Sequence, residues 1–156
     1  MDKHTLITAL DLAPHPEGGY FRRTYESAHI QRGRRLMSCI YYLLTSDQPL
    51  GRLHRNRSDI VHFWQGGSPL HYTLLSPEGK LLQFTLGPDL AAGQQLQLTV
   101  PGGFWKGSQL LCGEYGLISE AVCPGFDYDD HDMASAADIR ERYPQHWQAL
   151  QAFCPA

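Results

Sequence analysis

No stretch of about eighteen apolar residues occurs in the chain, so no membrane-spanning helix is expected. The start, MDKHTLITALDLAPHPEGG, holds only a short apolar run broken by Asp11, with no small-residue cleavage site, which argues against a secretory leader. A soluble cytoplasmic protein without a membrane partner is the expectation. Cysteine is sparse: Cys39, Cys112, Cys123 and Cys154 are scattered and form no CxxC pair. That spacing speaks against a zinc ribbon and predicts reduced, mostly buried thiols. Positive charge is not in excess, since 13 Lys and Arg stand against 16 Asp and Glu. Without a basic surplus or a recognised binding motif, nucleic acid is not an expected partner. Internal repeats and low-complexity tracts are also missing.

What is present suits a turn-rich β protein. Fifteen glycines and ten prolines would weaken the interiors of a helical bundle. At 156 residues the chain is the size of one domain, read as spanning 1–156, and long enough to bury about two-thirds of its unfolded surface. The charge is uneven: eight arginines from Arg22 to Arg57 lie in the first third, and eight acids from Glu114 to Glu141 in the last. Halves packed side by side would neutralise one another.

A short helix is expected over residues 4–12, where Leu6, Ile7 and Leu10 share a side before Pro14 and Pro16 stop it. HPEGG reads as a loop, Tyr20 to Tyr25 as an edge strand, 28–35 as a mobile polar loop, and Met37 to Leu44 as a strand covered on both faces. Leu70 to Leu75 and Lys80 to Leu86 form a hairpin around Ser76-Pro77-Glu78-Gly79. Gln95 to Val100 alternates wet and dry, a segment from Phe104 to Leu111 leads to another strand pair, and Tyr115 to Val122 is a further strand. The tail from Ser135 to Phe153 reads as helix interrupted by Pro144. Short strands at intervals of about ten residues, with no helix between them, mean an antiparallel sandwich or barrel.

The organising stretch is Gly51 to Gly67, GRLHRNRSDIVHFWQGG. At a period of two, His54 and Asn56 share one face of a strand, Arg57 and Ser58 turn the chain, and Ile60, His62 and Trp64 share a face of the returning strand. This spacing resembles the first cupin motif, with His54, Asn56, Ile60 and Gly67 at its two histidines, glutamate and closing glycine. Pro101-Gly102-Gly103 resembles the second motif, with Lys106 in the histidine's place. HPEGGYF, SDIVHFWQGGSPL, the glutamine-then-VP run ending at Pro101 and CPGFDY, in that order, are similar to a branch of small single-domain cupins. The resemblance implies an all-β antiparallel jelly roll with short terminal helices, paired as a homodimer.

The chemistry follows from what those positions hold. Metal-dependent cupins usually present three histidines and a glutamate; here Asn56, Ile60 and Lys106 replace three of the four, and no native metal is expected beyond a weak divalent ion at His54 and His62. Two inward imidazoles suit general acid and base work at neutral pH. The resemblance then implies the chemistry of metal-free nucleotide-sugar epimerases and isomerases, with His54 and His62 as the catalytic pair. Asp59 either orients a histidine or caps the turn beside Ser58. Arg22, Asn56, Trp64, Gln97, Trp105, Lys106 and a strand tyrosine, Tyr42 foremost, are the residues expected to bind a small polar molecule. A non-catalytic ligand-binding or regulatory module and a metal-dependent dioxygenase are the alternatives.

Overall fold

The computed structural model describes residues 2–154. Helix α1 (Lys3–Ala9) opens the chain, with the Asp2 carboxylate accepting from the Thr5 amide at its N-cap. The strands then run β1 (Ala13–Pro14), β2 (Tyr20–Glu26), β3 (Ile30–Gln31), β4 (Arg34–Arg35), β5 (Ser38–Thr45), β6 (Leu50–Asn56), β7 (Ile60–Gly67) and β8 (Leu70–Leu75). They continue with β9 (Leu81–Leu86), β10 (Gln97–Val100), β11 (Trp105–Gln109), β12 (Tyr115–Val122) and β13 (His131–Met133), before helices α2 (Ala136–Arg142) and α3 (Trp147–Leu150). No described helix is long and apolar enough to cross a membrane.

All strand pairs of the ladders are antiparallel. One sheet has the order β1-β2-β5-β12-β7-β10, the other β13-β6-β11-β8-β9, and β3 with β4 makes a separate ribbon. The larger sheets form the jelly roll. Their inner faces meet in a core of Tyr42, Leu44, Leu70, Tyr72, Leu98 and Ile118 with their neighbours. A second apolar cluster, Leu53, Leu75, Ile139, Leu150 and Phe153, lies where α2 and α3 cover the outer face of the five-stranded sheet. Leu53 alternates with His54 along β6, so one strand serves both layers.

Several sequence expectations need correction. The N-terminal helix ends at Ala9, because Asp11 takes a positive φ of 52° and Ala13 and Pro14 join the sheet. Residues 28–35 are not an open loop, since Ile30 and Gln31 pair with Arg35 and Arg34. Strand β2 is flanked by the two-residue β1 and is not itself the edge. The thiols are not mostly buried: only Cys154 is, while Cys112 and Cys123 are exposed and Cys39 is intermediate. The strand β13 has no counterpart in the sequence reading; three residues rich in His and Asp give no apolar alternation.

Candidate functional site

Six chain segments bring the polar groups together. His54 and Asn56 lie on the inner face of β6, and Asn56 pairs across the ladder with His131 of β13. Lys106 of β11 faces His54, and Glu120 of β12 faces His62 of β7. Residues opposite one another in an antiparallel pair project to the same side of the sheet. Glu17 comes from the loop between β1 and β2. Its carbonyl accepts from the Arg52 amide at 2.7 Å, and the Tyr42 hydroxyl donates to the next carbonyl, Gly18, at 2.9 Å. Gly18 and Gly19 adopt φ of 98° and 73°, and a Cβ at Gly18 would meet the Leu50 carbonyl oxygen at 2.3 Å. The glycine pair of HPEGG therefore lets the loop turn inward against β6 and deliver Glu17.

Of these groups, Glu17, Tyr42, His54, Asn56, Glu120 and His131 line a cavity of about 60 Å³ whose apolar walls include Phe21, Ile40, Ile60, Val122 and Phe126. Such a volume is well below the roughly 150 Å³ that takes benzene, so only a compact group fits inside. Arg23 and Tyr128 also line it, and the Arg23 guanidinium lies 6.0 Å from the centre of the Phe126 ring.

At one end, Glu17 sits between two imidazoles. Its Oε2 is 3.2 Å from His54 Nε2, and its Oε1 is hydrogen-bonded to His131 Nε2. The Glu17 amide donates to His15 Nδ1 at 3.1 Å, completing a three-histidine surround. His54 Nδ1 is 2.7 Å from the Arg52 carbonyl. A carbonyl only accepts, so Nδ1 carries the proton and a neutral His54 presents a bare Nε2 to the carboxylate. Burial pushes the His54 ring down to about 4, against the opposing pull of Glu17, so the ring is neutral at pH 7. Burial pushes Glu17 up, but His54, the His131 hydrogen bond and His15 together hold it at about 2. The floor of the cavity is thus rich in acceptors, and a donor or a cation complements it.

A second cluster lies alongside. The Lys106 ammonium is 3.2 Å from His62 Nε2 and 3.4 Å from Glu120 Oε1, while His62 Nδ1 is 3.1 Å from the same oxygen in poor alignment. Burial pushes Glu120 up, yet Lys106 and His62 draw it well below the usual carboxylate range. Burial and the adjacent Lys106 both lower His62. Lys106 thus places a fixed positive charge against the inner acid, at the position where the second cupin motif has a histidine.

Of the residues singled out from sequence, His54, Tyr42 and Asn56 line the cavity. His62 is fully buried behind it with Lys106. Asp59 accepts from the Gly102 amide at 2.7 Å, bridging two turns, and does not meet a histidine. Arg22 is exposed over the Tyr41 ring, and Gln97 is exposed on β10. Trp105 packs in the second apolar cluster beneath Arg55, and Trp64 packs against the first. Of the histidines and carboxylates that line the cavity, His15, Glu17, Glu120 and His131 were not among the sequence candidates. HPEGGYF carried the signal for Glu17 and His15, whereas His131 lies three residues beyond CPGFDY with no spacing that links it to His54.

The metal question turns on the same cluster. One donor atom each from Glu17, His54 and His131 lie within 4.8 Å of one another, so the group can hold a metal ion. His54 fits in detail, because a ligating imidazole commonly gives its other N–H to a backbone carbonyl. The positions of the usual cupin ligands do not fit, as Asn56, Ile60 and Lys106 supply no anionic or imidazole donor there.

Comparison with known proteins agrees with this architecture. The chain is 34% identical to protein SO0799 of Shewanella oneidensis, with a TM-score of 0.95 over 99% of this chain and 98% of that one. A hypothetical protein from Leishmania major is 32% identical, with a TM-score of 0.92 and full coverage of both chains. Oxalate decarboxylase of Bacillus subtilis shares the fold alone, at 13% identity and a TM-score of 0.59, over 90% of this chain and 36% of that one. The uncharacterised yeast protein YML079W of Saccharomyces cerevisiae is 38% identical, across 85% of this chain and 75% of that protein. With the family model described as "Cupin superfamily (DUF985)" matching residues 4–134, the chain belongs to the DUF985 family of the cupin superfamily.

Proposed function

We propose that this cupin binds a compact hydroxyl-bearing molecule and catalyses proton transfer on it, as an isomerase or epimerase does. The observation that carries the reading is the bare His54 Nε2 beside the Glu17 carboxylate, at the inner end of a cavity with apolar walls. A ligand hydroxyl donates to the Glu17 carboxylate, which leaves the single lone pair of His54 Nε2 free, and the carbon chain lies against Phe21, Ile40 and Val122. His54 takes a proton at Nε2 from the carbon next to a carbonyl. The C–H electron pair moves onto the carbonyl oxygen as an enolate, and return of the proton to carbon closes the cycle without oxidant or reductant. Glu17 stabilises the transient imidazolium, and the Arg52 carbonyl fixes its orientation. Solvent deuterium entering hydroxyacetone, dihydroxyacetone or a set of aldoses and ketoses, followed by proton NMR, tests this. The expected result is enzyme-dependent wash-in that His54→Asn abolishes; no wash-in with any of them removes the catalytic reading.

A second reading rests on the convergence of Glu17, His54 and His131 donor atoms. A divalent ion held by these three would supply Lewis-acid or oxygen-activating chemistry, the latter being that of a dioxygenase. Elemental analysis of untagged protein separates the two readings, since stoichiometric iron, manganese or nickel lost on Glu17→Gln favours the ion.

A further inference from the structure

Asn56 stands where the cupin motif places its second histidine, and its amide has a settled orientation. The Ser58 backbone N–H donates to Asn56 Oδ1 at 2.9 Å. An N–H needs an acceptor, so the oxygen faces the turn and Nδ2 faces away from it. That Nδ2 is buried and has no hydrogen-bond partner among the described residues; Asn56 is only 6% exposed and lines both this cavity and a smaller one beside Phe104 and Lys106. A buried amide donor left without a partner is unfavourable, and a bound acceptor would relieve it.

The donor lies on the same face of β6 as His54, two residues along. One inward residue therefore offers a hydrogen while the next, with Glu17, accepts one. We propose that Asn56 is a specificity-determining residue, and that the ligand is an α-hydroxy carbonyl compound whose carbonyl oxygen accepts from Asn56 Nδ2 while its hydroxyl donates to Glu17 beside His54. This inference rests on the reading of the cavity as a small-molecule site and narrows it to one chemical class. A carbonyl polarised by an amide N–H has the more acidic neighbouring carbon, so recognition and proton transfer would use the same contact. A plain diol offers Nδ2 only a hydroxyl oxygen, a weaker acceptor than a polarised carbonyl, and a simple ketone presents no hydroxyl to Glu17.

Three probes of nearly equal size separate these elements: hydroxyacetone, propane-1,2-diol and acetone, titrated into 15N-labelled protein. Hydroxyacetone is expected to bind at least about tenfold more tightly than either, the equivalent of one hydrogen bond. It is also expected to shift the Asn56 side-chain amide resonances further than propane-1,2-diol does at saturation. Asn56→Asp keeps the acceptor for the Ser58 amide and turns the unpartnered donor into an acceptor. That variant is expected to lose the preference for hydroxyacetone. If the probes shift the cavity residues with equal affinity, or the Asn56 amide signals stay still with hydroxyacetone, the assignment of Asn56 is wrong while the cavity remains a binding site. If none of the three perturbs the cavity, both the assignment and the small-molecule reading fall. The resonance readout uses the wild-type chain, so it holds even if the variant fails to fold.

Discussion

His54 Nε2 lies 3.2 Å from Glu17 Oε2, although one residue sits on a strand and the other on the loop before β2. The contact exists because the Glu17 carbonyl is tied to the Arg52 amide, two residues before His54 on the same strand. That hydrogen bond ties the loop to the strand, so a substitution that loosens the loop is expected to reach the imidazole.

Glu17→Gln removes the negative charge between His54 and His131 while keeping the shape. Turnover of a confirmed substrate is expected to fall by roughly 10²-fold or more, the usual scale for losing an acid–base element. Progress curves on purified variant and wild-type protein check it, and activity within about threefold of wild type would remove Glu17 from the chemistry.

Gly18→Ala adds a Cβ that would meet the Leu50 carbonyl oxygen at 2.3 Å, at a φ of 98° that suits glycine. The variant is expected to lose more than about 1 kcal/mol of stability. Activity is expected to fall further than stability alone explains, because Glu17 is the neighbouring residue. Urea unfolding measured beside turnover tells the two effects apart.

Lys106→Met leaves Glu120 and His62 in the interior without their cation. A loss of about 3–5 kcal/mol is expected, typical of breaking a buried ion pair from one side. The double variant Lys106→Met with Glu120→Gln removes both charges and is expected to recover at least half of that loss. Equal instability of single and double variants would show that packing of the lysine stem matters more than its charge.

Acid is expected to weaken the fold in two stages. His54 titrates near 4 in the folded protein against 6.5 for a free imidazole, so the unfolded chain takes up its proton first. That contribution is present above about 6.5 and is lost as the pH falls through about 4. Glu17, at about 2 against an ordinary 4.5, contributes above about 4.5 and is lost as the pH falls through about 2. Chemical denaturation across this range checks the slope, and His54→Asn is expected to flatten its upper part.

Much of the architecture could be read from residue order. Leu98 and Val100 alternate with Gln97 and Thr99, the Ser76 to Gly79 turn falls between paired strands, and Tyr115 to Val122 is a strand from end to end. Local periodicity and turn chemistry are enough for such elements, because they depend on neighbours in the chain. The same holds for the inward direction of His54 and Asn56, which a period of two dictates once β6 is recognised.

The membership of the cluster is a different kind of fact. Sequence alone pairs His54 with His62, which lies close by along the chain, whereas the folded protein surrounds His54 with Glu17 and His131 and turns His62 toward Lys106 and Glu120. Contacts between a loop near the start, a central strand and a short strand near the end depend on which strands neighbour one another in the sheets. Sequence thus determined the longer strands, their faces and the loss of the usual metal ligands, but not the two- and three-residue strands β1, β3, β4 and β13. Tertiary structure alone decided which carboxylate meets which imidazole, because that depends on register between distant strands and not on spacing along the chain.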